Sequence, residues 1–115
     1  MNVKIKRVYE KPESNDGTRI LVDRLWPRGL TKEKARVDLW LKEIAPSNEL
    51  RKWFGHESEK WSDFQKRYRA ELRKKNEPLS LLRKAAAKEP ITLLFAAKDE
   101  EHNEAVVLQN LLLST

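Results

Sequence analysis

The sequence predicts an α/β fold, in which a mainly parallel sheet of about four strands is flanked by helices. Three observations predict it. Short apolar runs alternate along the chain with segments whose apolar residues recur at helical spacing. Residues 91–95, which follow a proline, give the clearest strand signal. The 115 residues include 39% hydrophobic side chains and show no linker or repeat, so we expect one compact domain over residues 1–115.

The N-terminal part of the chain predicts two strands. Residues 3–9 alternate apolar and mostly basic side chains, a pattern typical of a strand with one solvent-facing side. Residues 10–17 are rich in turn-forming side chains, and residues 19–23 then form a second strand that is apolar in succession and therefore central. Because the connection is short, the first two strands can also pair antiparallel, which would make the sheet mixed.

The middle of the chain predicts two short helices and a third strand. A threonine caps the first helix, over residues 32–36. Residues 37–41 favour a strand because a proline closes the segment soon afterwards, although residues 41–45 also suit the start of a helix. Ser47 caps the second helix, over Asn48–Phe54, which a glycine ends.

Three further helices and the last strand are predicted in the second half. Ser58 is placed to cap the longest helix, and Pro78 to prevent its continuation. That helix presents one apolar stripe, formed by Trp61, Phe64, Tyr68 and Leu72. Another helix follows Pro78, and residues 91–95 lead from it to a last helix that begins near residues 99–103.

The composition excludes several classes of protein. The chain has no cysteine, so disulfides, thiolate catalysis and cysteine-ligated zinc are excluded, and a reducing compartment is favoured. The opening residues lack the long apolar core of a signal peptide, and the apolar runs are too short and interrupted to span a bilayer. We therefore expect a soluble cytoplasmic protein without a membrane partner.

The charge is basic and unevenly distributed. The formal net charge is +6, and residues 1–36 hold ten Lys/Arg against five acidic residues, whereas residues 98–115 hold one Lys against four. Residues 66–75, with six basic side chains and one acidic, would place a basic face on a helix. Such a face can lie along a nucleic-acid backbone, although a solvated surface is the commoner outcome.

The first cluster of candidate site residues directly follows the second strand. Asp23, Arg24 and Arg28 lie there, and ligands of open α/β sheets bind at the carboxyl ends of strands. The forked guanidinium groups are suited to an anion, with Asp23 orienting an arginine and Trp26 forming an aromatic wall. Two structural alternatives stay open: an ion pair between Asp23 and Arg24, and a core position for Trp26.

A second cluster, Lys42 with Pro46 and Ser47, follows the ambiguous third strand. The third cluster follows the last strand and contains Lys98, Asp99, His102 and Asn103. Lys98 and Asn103 would bind the anion, and Asp99 or His102 would act on the substrate as an acid–base group. Capping of the last helix is an alternative that explains Asp99 fully. The two histidines stand 46 positions apart among scattered acids, so no metal is expected.

Four motifs, in order, resemble those of one known family. They are VDRLWPRG at residues 22–29, WLK with APS within 40–47, LRKWFGH at 50–56, and LLFAAKD with HN within 93–103. With these motifs, nearly the whole chain resembles the YeaO-like branch of the domain-of-unknown-function 488 family. The resemblance implies a small Rossmann-like domain, more distantly similar to rhodaneses and phosphatases, with no established activity.

The broader family also implies that cysteine-dependent chemistry is excluded for this chain. Some members carry a cysteine on the strand that ends here at Phe95, and a His-Arg pair where this chain has His102 and Asn103. With phenylalanine in the cysteine position, sulfur transfer and phosphocysteine chemistry are excluded for this chain. Of the site that the resemblance implies, only the anion pocket would then remain.

The leading functional hypothesis is therefore a pocket for a small anion of phosphate or nucleotide type. No cofactor is expected, and the residues leave open whether the protein is an enzyme. One alternative is a nucleic-acid-binding or regulatory module that uses the basic face of residues 66–75. A third hypothesis is a protein-interaction domain anchored by the four tryptophans.

Overall fold

The computed structural model describes residues 1–114 and contains a sheet of four parallel strands. The strands are β1 (Val3–Arg7), β2 (Thr18–Leu21), β3 (Leu39–Trp40) and β4 (Ile91–Phe95). Their spatial order is β1–β4–β2–β3, and Ile91 pairs with Val3 on one side and with Thr18 on the other. The predicted α/β class and a sheet of about four strands are confirmed.

The antiparallel alternative for the first two strands is wrong. β1 and β2 form no ladder with each other, because β4 lies between them and pairs in parallel with both. All five residues of β4 are buried. The centre of the sheet removes most apolar surface of this strand from water, because neighbouring strands cover both edges there and helices cover both faces. The sheet within residues 1–114 is therefore wholly parallel rather than mixed.

The helices are α1 (Lys32–Ala35), α2 (Asn48–Phe54), α3 (Trp61–Leu72), α4 (Asn76–Lys88) and α5 (Glu104–Leu113). The two caps predicted for α1 and α2 are confirmed: Thr31 Oγ1 accepts a hydrogen bond from the Lys34 amide, and Ser47 Oγ accepts one from the Leu50 amide. The ambiguous segment 37–45 contains both of its predicted elements, since a 3-10 turn (Lys42–Ile44) follows β3 directly.

Three details of the helix boundaries differ from the predictions. Ser58 does not cap α3, because a 3-10 turn (Ser58–Lys60) precedes that helix. The longest helix is α4, with 13 residues against 12 in α3, and Pro78 lies in its first turn, where a missing amide breaks no helical hydrogen bond. Asn103, not Asp99, caps α5 by accepting a hydrogen bond from its backbone.

The two faces of the sheet have different covers. Helices α2 to α5 pack on the face that carries Ile20 and Leu93, where they form the larger hydrophobic cluster. The opposite face is covered by α1 and the loop after β2, and its packed residues are Leu21, Ala35, Leu94, Trp26 and Trp40. Successive strand residues point to opposite faces, so adjacent residues of β2 and β4 belong to different clusters. Within residues 1–114, the helices are too short or too polar to cross a membrane.

The amino ends of the strands are fixed by a buried ion network and a close backbone approach. Asp16 accepts hydrogen bonds from Lys6 Nζ (2.9 Å) and from Arg19. Burial raises the pKa of Asp16, but these bonds and one from a backbone amide outweigh it, so the pKa lies below its ordinary value. Gly17 has φ +67°, and a Cβ built on it would lie 2.0 Å from the carbonyl oxygen of Pro90. Only glycine fits there.

Candidate ligand-binding cavity

A cavity of about 340 Å³ opens at the carboxyl ends of β2 and β4. Its wall combines the loop after β2, the segment before α2, residues of α2 and α3, and the loop that leads from β4 into α5. Six of the eight predicted site residues line it: Asp23, Arg24, Trp26, Arg28, His102 and Asn103. Lys98 and Asp99 stand outside the lining, and Lys98 is exposed. The fold thus gathers polar side chains from two distant loops around a single hollow.

Arg24 is only partly satisfied by the protein. Its Nη2 donates long hydrogen bonds to the carbonyl oxygens of Ala45 (3.4 Å) and Pro46 (3.2 Å). Its Nε is buried and has no hydrogen-bond partner among residues 1–114. The alternative ion pair with Asp23 does not form in this part of the chain. Arg24 therefore braces the segment before α2 with one nitrogen and keeps another N–H without an acceptor.

The loop after β2 is held in place by its tryptophan. Trp26 Nε1 donates a hydrogen bond to the Leu30 carbonyl oxygen (2.7 Å), and its ring packs edge-on against Trp40, with centroids 5.5 Å apart. Trp26 is thus a packed anchor and a wall of the cavity at once. Tyr9 Oη donates to the backbone carbonyl of Arg28 (2.8 Å), while the exposed Arg28 guanidinium makes no hydrogen bond within residues 1–114.

Asp23 joins the ends of the two strands that border the cavity. Its Oδ2 accepts a hydrogen bond from the Ala96 amide (2.9 Å), directly after β4. Its backbone carbonyl accepts one from Trp40 Nε1 (2.7 Å). Asp23 makes no ion pair with an arginine in the described residues, so its contacts fix the backbone on both sides of the cavity instead.

Glu104 is a cavity residue that the sequence did not predict. It is the first residue of α5, it is partly buried, and it lines the cavity together with Asp23. Burial, together with the nearby charge of Asp23, raises the pKa of Glu104 well above its ordinary value of 4.5. The raised pKa widens the pH range over which the Glu104 carboxyl group is protonated and neutral.

His102 is oriented by Asp99. The Nδ1 atom of His102 lies 2.8 Å from Asp99 Oδ2, and Asp99 Oδ1 accepts the amides of Glu101 (3.0 Å) and His102 (3.1 Å). The hydrogen bond from His102 is the main reason why the pKa of Asp99 lies below its ordinary value. The imidazole also packs edge-on against Trp61, with centroids 5.2 Å apart. Asp99 thus reaches the cavity only through His102, whose Nε2 is the ring nitrogen left for a ligand.

Two more basic residues of the lining come from α2 and the turn after it, and neither was among the predicted site residues. Arg51 Nη2 donates to Asn48 Oδ1 (3.3 Å), and the exposed His56 follows Gly55 with φ +60°. Their pattern is that of an ordinary helix end, so only the LRKWFGH motif could have indicated them. The apolar part of the wall includes Phe54 and Phe64, whose ring centroids are 4.5 Å apart.

The lining therefore combines three guanidinium groups, two imidazoles, a pair of carboxyl groups and aromatic rings. Guanidinium groups hold phosphates and carboxylates through two parallel hydrogen bonds, and the aromatic rings exclude water from the inner wall. Among residues 1–114, no group of three or more metal-binding side chains is close enough to hold a metal ion. The arrangement is suited to binding a small polar molecule.

Comparisons with known proteins confirm the resemblance inferred from the motifs. The chain is 47% identical to the uncharacterized protein YeaO of Escherichia coli (strain K12), over 99% of both chains. It is 41% identical to the uncharacterized proteins Mb3100c of Mycobacterium bovis and Rv3073c of Mycobacterium tuberculosis, over 96% of this chain and 92% of theirs. No solved structure matches the chain. A family model described as the inactive DUF488-N3 subclade matches residues 2–115, and the chain belongs to this family.

Proposed function

We propose that this protein binds a small anion of phosphate or nucleotide type in the cavity at the carboxyl ends of β2 and β4. The observation that carries the proposal is Arg24, whose buried Nε has no acceptor within residues 1–114. A buried donor without a partner costs about 1–3 kcal/mol, so an acceptor supplied by a ligand would recover this energy. Arg28 and Arg51 line the same cavity and add further donors.

Binding without chemistry is the simplest form of this function. The family is described as an inactive subclade. Phe95, where the resemblance implies a cysteine in some members, is fully buried and belongs to the hydrophobic core. An apolar ring in the core offers no nucleophile to a ligand. The net charge of +6 supports an anionic ligand, because it raises the rate at which anions meet the protein.

One observation favours a second candidate function, acid–base catalysis on the bound anion. Asp99 orients His102 with a 2.8 Å contact, an arrangement that hydrolases also use to position an imidazole. Hydrolysis of p-nitrophenyl phosphate by the wild-type protein, lost in His102→Ala, would support it. Absence of turnover together with retained phosphate binding would leave the binding function alone.

The basic face of residues 66–75 gives less support to nucleic-acid binding. Arg67 lies with its guanidinium carbon 4.1 Å from the centroid of the Trp53 ring. Lys75 Nζ donates to the carbonyl oxygen of Ala45 (2.6 Å), and burial is the main cause that lowers its pKa. Two of the six basic side chains in the segment are therefore engaged in contacts that stabilise the fold.

The proposed anion site is tested by titrating inorganic phosphate and adenosine monophosphate into the protein in a calorimeter. We expect Arg28→Ala to weaken binding about tenfold or more, because a hydrogen bond to a charged group contributes about 1.5–3 kcal/mol. Arg73→Ala is the matched control, since Arg73 is also exposed but lies outside the cavity. Equal affinities of the two variants, or no binding to the wild type at millimolar concentration, would contradict the proposal.

A further inference from the structure

The cavity contains an acidic pair that has no basic partner. Asp23 and Glu104 both line it, and no lysine, arginine or histidine nitrogen lies within 4.0 Å of either carboxyl group in residues 1–114. Within residues 1–114, the Asp23 side chain forms one hydrogen bond, which it accepts from the Ala96 amide (2.9 Å). The cavity wall therefore carries two acidic side chains that no basic group of residues 1–114 neutralises.

The buried acid at the other end of the sheet shows how this fold neutralises a carboxylate that serves only the structure. Asp16 is paired with Lys6 (2.9 Å) and with Arg19. Taking a carboxylate out of water is unfavourable unless a positive charge or several hydrogen bonds replace the water. The pair of Asp23 and Glu104 lacks such a partner, although Arg24 follows Asp23 directly in the chain. Arg24 is instead turned toward Ala45 and Pro46.

Positive groups on the same cavity also lack acidic partners. Arg24 keeps a buried N–H without an acceptor, and Arg28 forms no ion pair in the described part of the chain. Phe54 and Phe64 add apolar wall to the same hollow. The cavity volume of about 340 Å³ lies within the range of small-molecule sites. An unmatched negative charge and unmatched positive charges thus line one small cavity.

Resting on the proposed anion site, we propose that the natural ligand is zwitterionic: a small anion that also carries an ammonium or similar N–H donor group. Its anionic group binds the guanidinium groups of Arg24 and Arg28. Its N–H donors bind the carboxyl pair of Asp23 and Glu104. A ligand with both groups neutralises both sets of charges, whereas a simple anion leaves the carboxyl pair unmatched and adds a charge of the same sign near it.

The test uses matched probes that differ only in the amine. We expect 2-aminoethyl phosphate to bind the wild-type protein about tenfold more tightly than ethyl phosphate at pH 7.5, measured by calorimetry. The probe 2-(trimethylammonio)ethyl phosphate has the same charge but no N–H donor, and we expect it to lose most of that advantage. This second comparison needs no variant, so it does not depend on whether a substituted protein folds.

Variants then assign the preference to the two carboxyl groups. In Glu104→Gln alone the Asp23 carboxyl group remains, so we expect most of the preference for the amine to persist. The double variant Asp23→Asn with Glu104→Gln keeps the shape of both side chains but replaces one acceptor oxygen of each with an uncharged NH2 donor, and its preference should fall to about twofold or less. Its affinity for ethyl phosphate and its melting temperature serve as controls for folding.

The outcomes separate the two proposals. If neither phosphate binds the wild-type protein, the anion site itself is refuted. If both phosphates bind with equal affinity, the anion site stands and the zwitterionic ligand is refuted. An amine preference that survives in a folded double variant would equally overturn the assignment of the carboxyl pair, while its loss in that variant supports it.

Discussion

Replacement of Gly17 by alanine tests the close approach between β2 and β4. Gly17 has φ +67° and ψ −143°, a region of backbone conformation that is essentially restricted to glycine. An added Cβ would lie 2.0 Å from the carbonyl oxygen of Pro90. That same oxygen accepts the hydrogen bond from the Thr18 amide (3.0 Å). The clash can be relieved only if the first residues of β2 move away from β4.

The expected loss of stability follows from these contacts. The backbone conformation costs a non-glycine residue about 1–3 kcal/mol, and the interstrand hydrogen bond contributes about 0.5–1.5 kcal/mol. We therefore expect Gly17→Ala to lower the free energy of unfolding by about 2–4 kcal/mol. Gly29→Ala is the matched control, because Gly29 also has positive φ (+82°) but has no heavy atom within 4 Å of the added Cβ. It should lose only the conformational part.

Urea unfolding followed by tryptophan fluorescence and circular dichroism measures both variants. The four tryptophans report on tertiary packing, and the slope of the transition shows whether the unfolded state has changed. Equal losses in Gly17→Ala and Gly29→Ala would refute the reasoning, because the contact with Pro90 would then contribute nothing. A loss below about 1 kcal/mol in Gly17→Ala would refute it as well.

Three further substitutions test buried polar groups. Tyr68→Phe removes the hydrogen bond from the buried Tyr68 hydroxyl to the Ile44 carbonyl oxygen (2.7 Å). It should lower the free energy of unfolding in urea by about 1–3 kcal/mol, and an unchanged midpoint would contradict this. Asp16→Asn should lower the free energy of unfolding at neutral pH. Because the pKa of Asp16 is lowered in the folded state, its stabilising contribution is present above pH 3.8 and lost in acid, so the two stabilities should converge as the pH falls below 3.8. A stability difference that does not depend on pH would count against the contact with Lys6. The raised pKa of Glu104 means that wild-type stability falls as the pH rises above 4.5, so Glu104→Gln should gain stability relative to wild type over that range. Parallel pH profiles of the two melting temperatures would argue against the raised pKa.

Local signals predicted the local structure well. Thr31 and Ser47 each stand before a short amphipathic segment, and both cap the helices expected of them, because the hydrogen bond involved spans only a few residues. Where two capping residues compete, the sequence is less informative. Asp99 and Asn103 both precede α5, and Asp99 instead binds the amides of its own turn and the ring of His102.

The strand order could not be predicted in the same way. The antiparallel alternative rested on the short connection between β1 and β2, which is a local argument. The pairing that forms instead joins both strands to β4, which lies far along the chain, and it depends on how completely β4 can be buried. The sequence identifies a strand from its own residues, but its neighbours are chosen by packing across the whole domain.

The candidate site shows a similar division. Arg24 and Arg28 could be predicted because they follow an apolar strand, and strand ends are where such folds place ligands. Glu104 could not, because a glutamate in the first turn of a helix is ordinary on its own. Its distinctive property, a raised pKa, comes from burial and from Asp23, and both arise only in the folded chain, since Asp23 lies far away in the sequence.

The central position of β4 also determines when the domain can form during synthesis. β1 and β2 leave the ribosome early, yet each needs β4 as its neighbour in the sheet. Until residues 91–95 have emerged, both early strands keep an edge with unpaired amides and carbonyls, a condition that favours association with other chains. The sheet can therefore be completed only after residues 91–95 have emerged, and a chain truncated before residue 91 lacks the ladder that would hold its first two strands together.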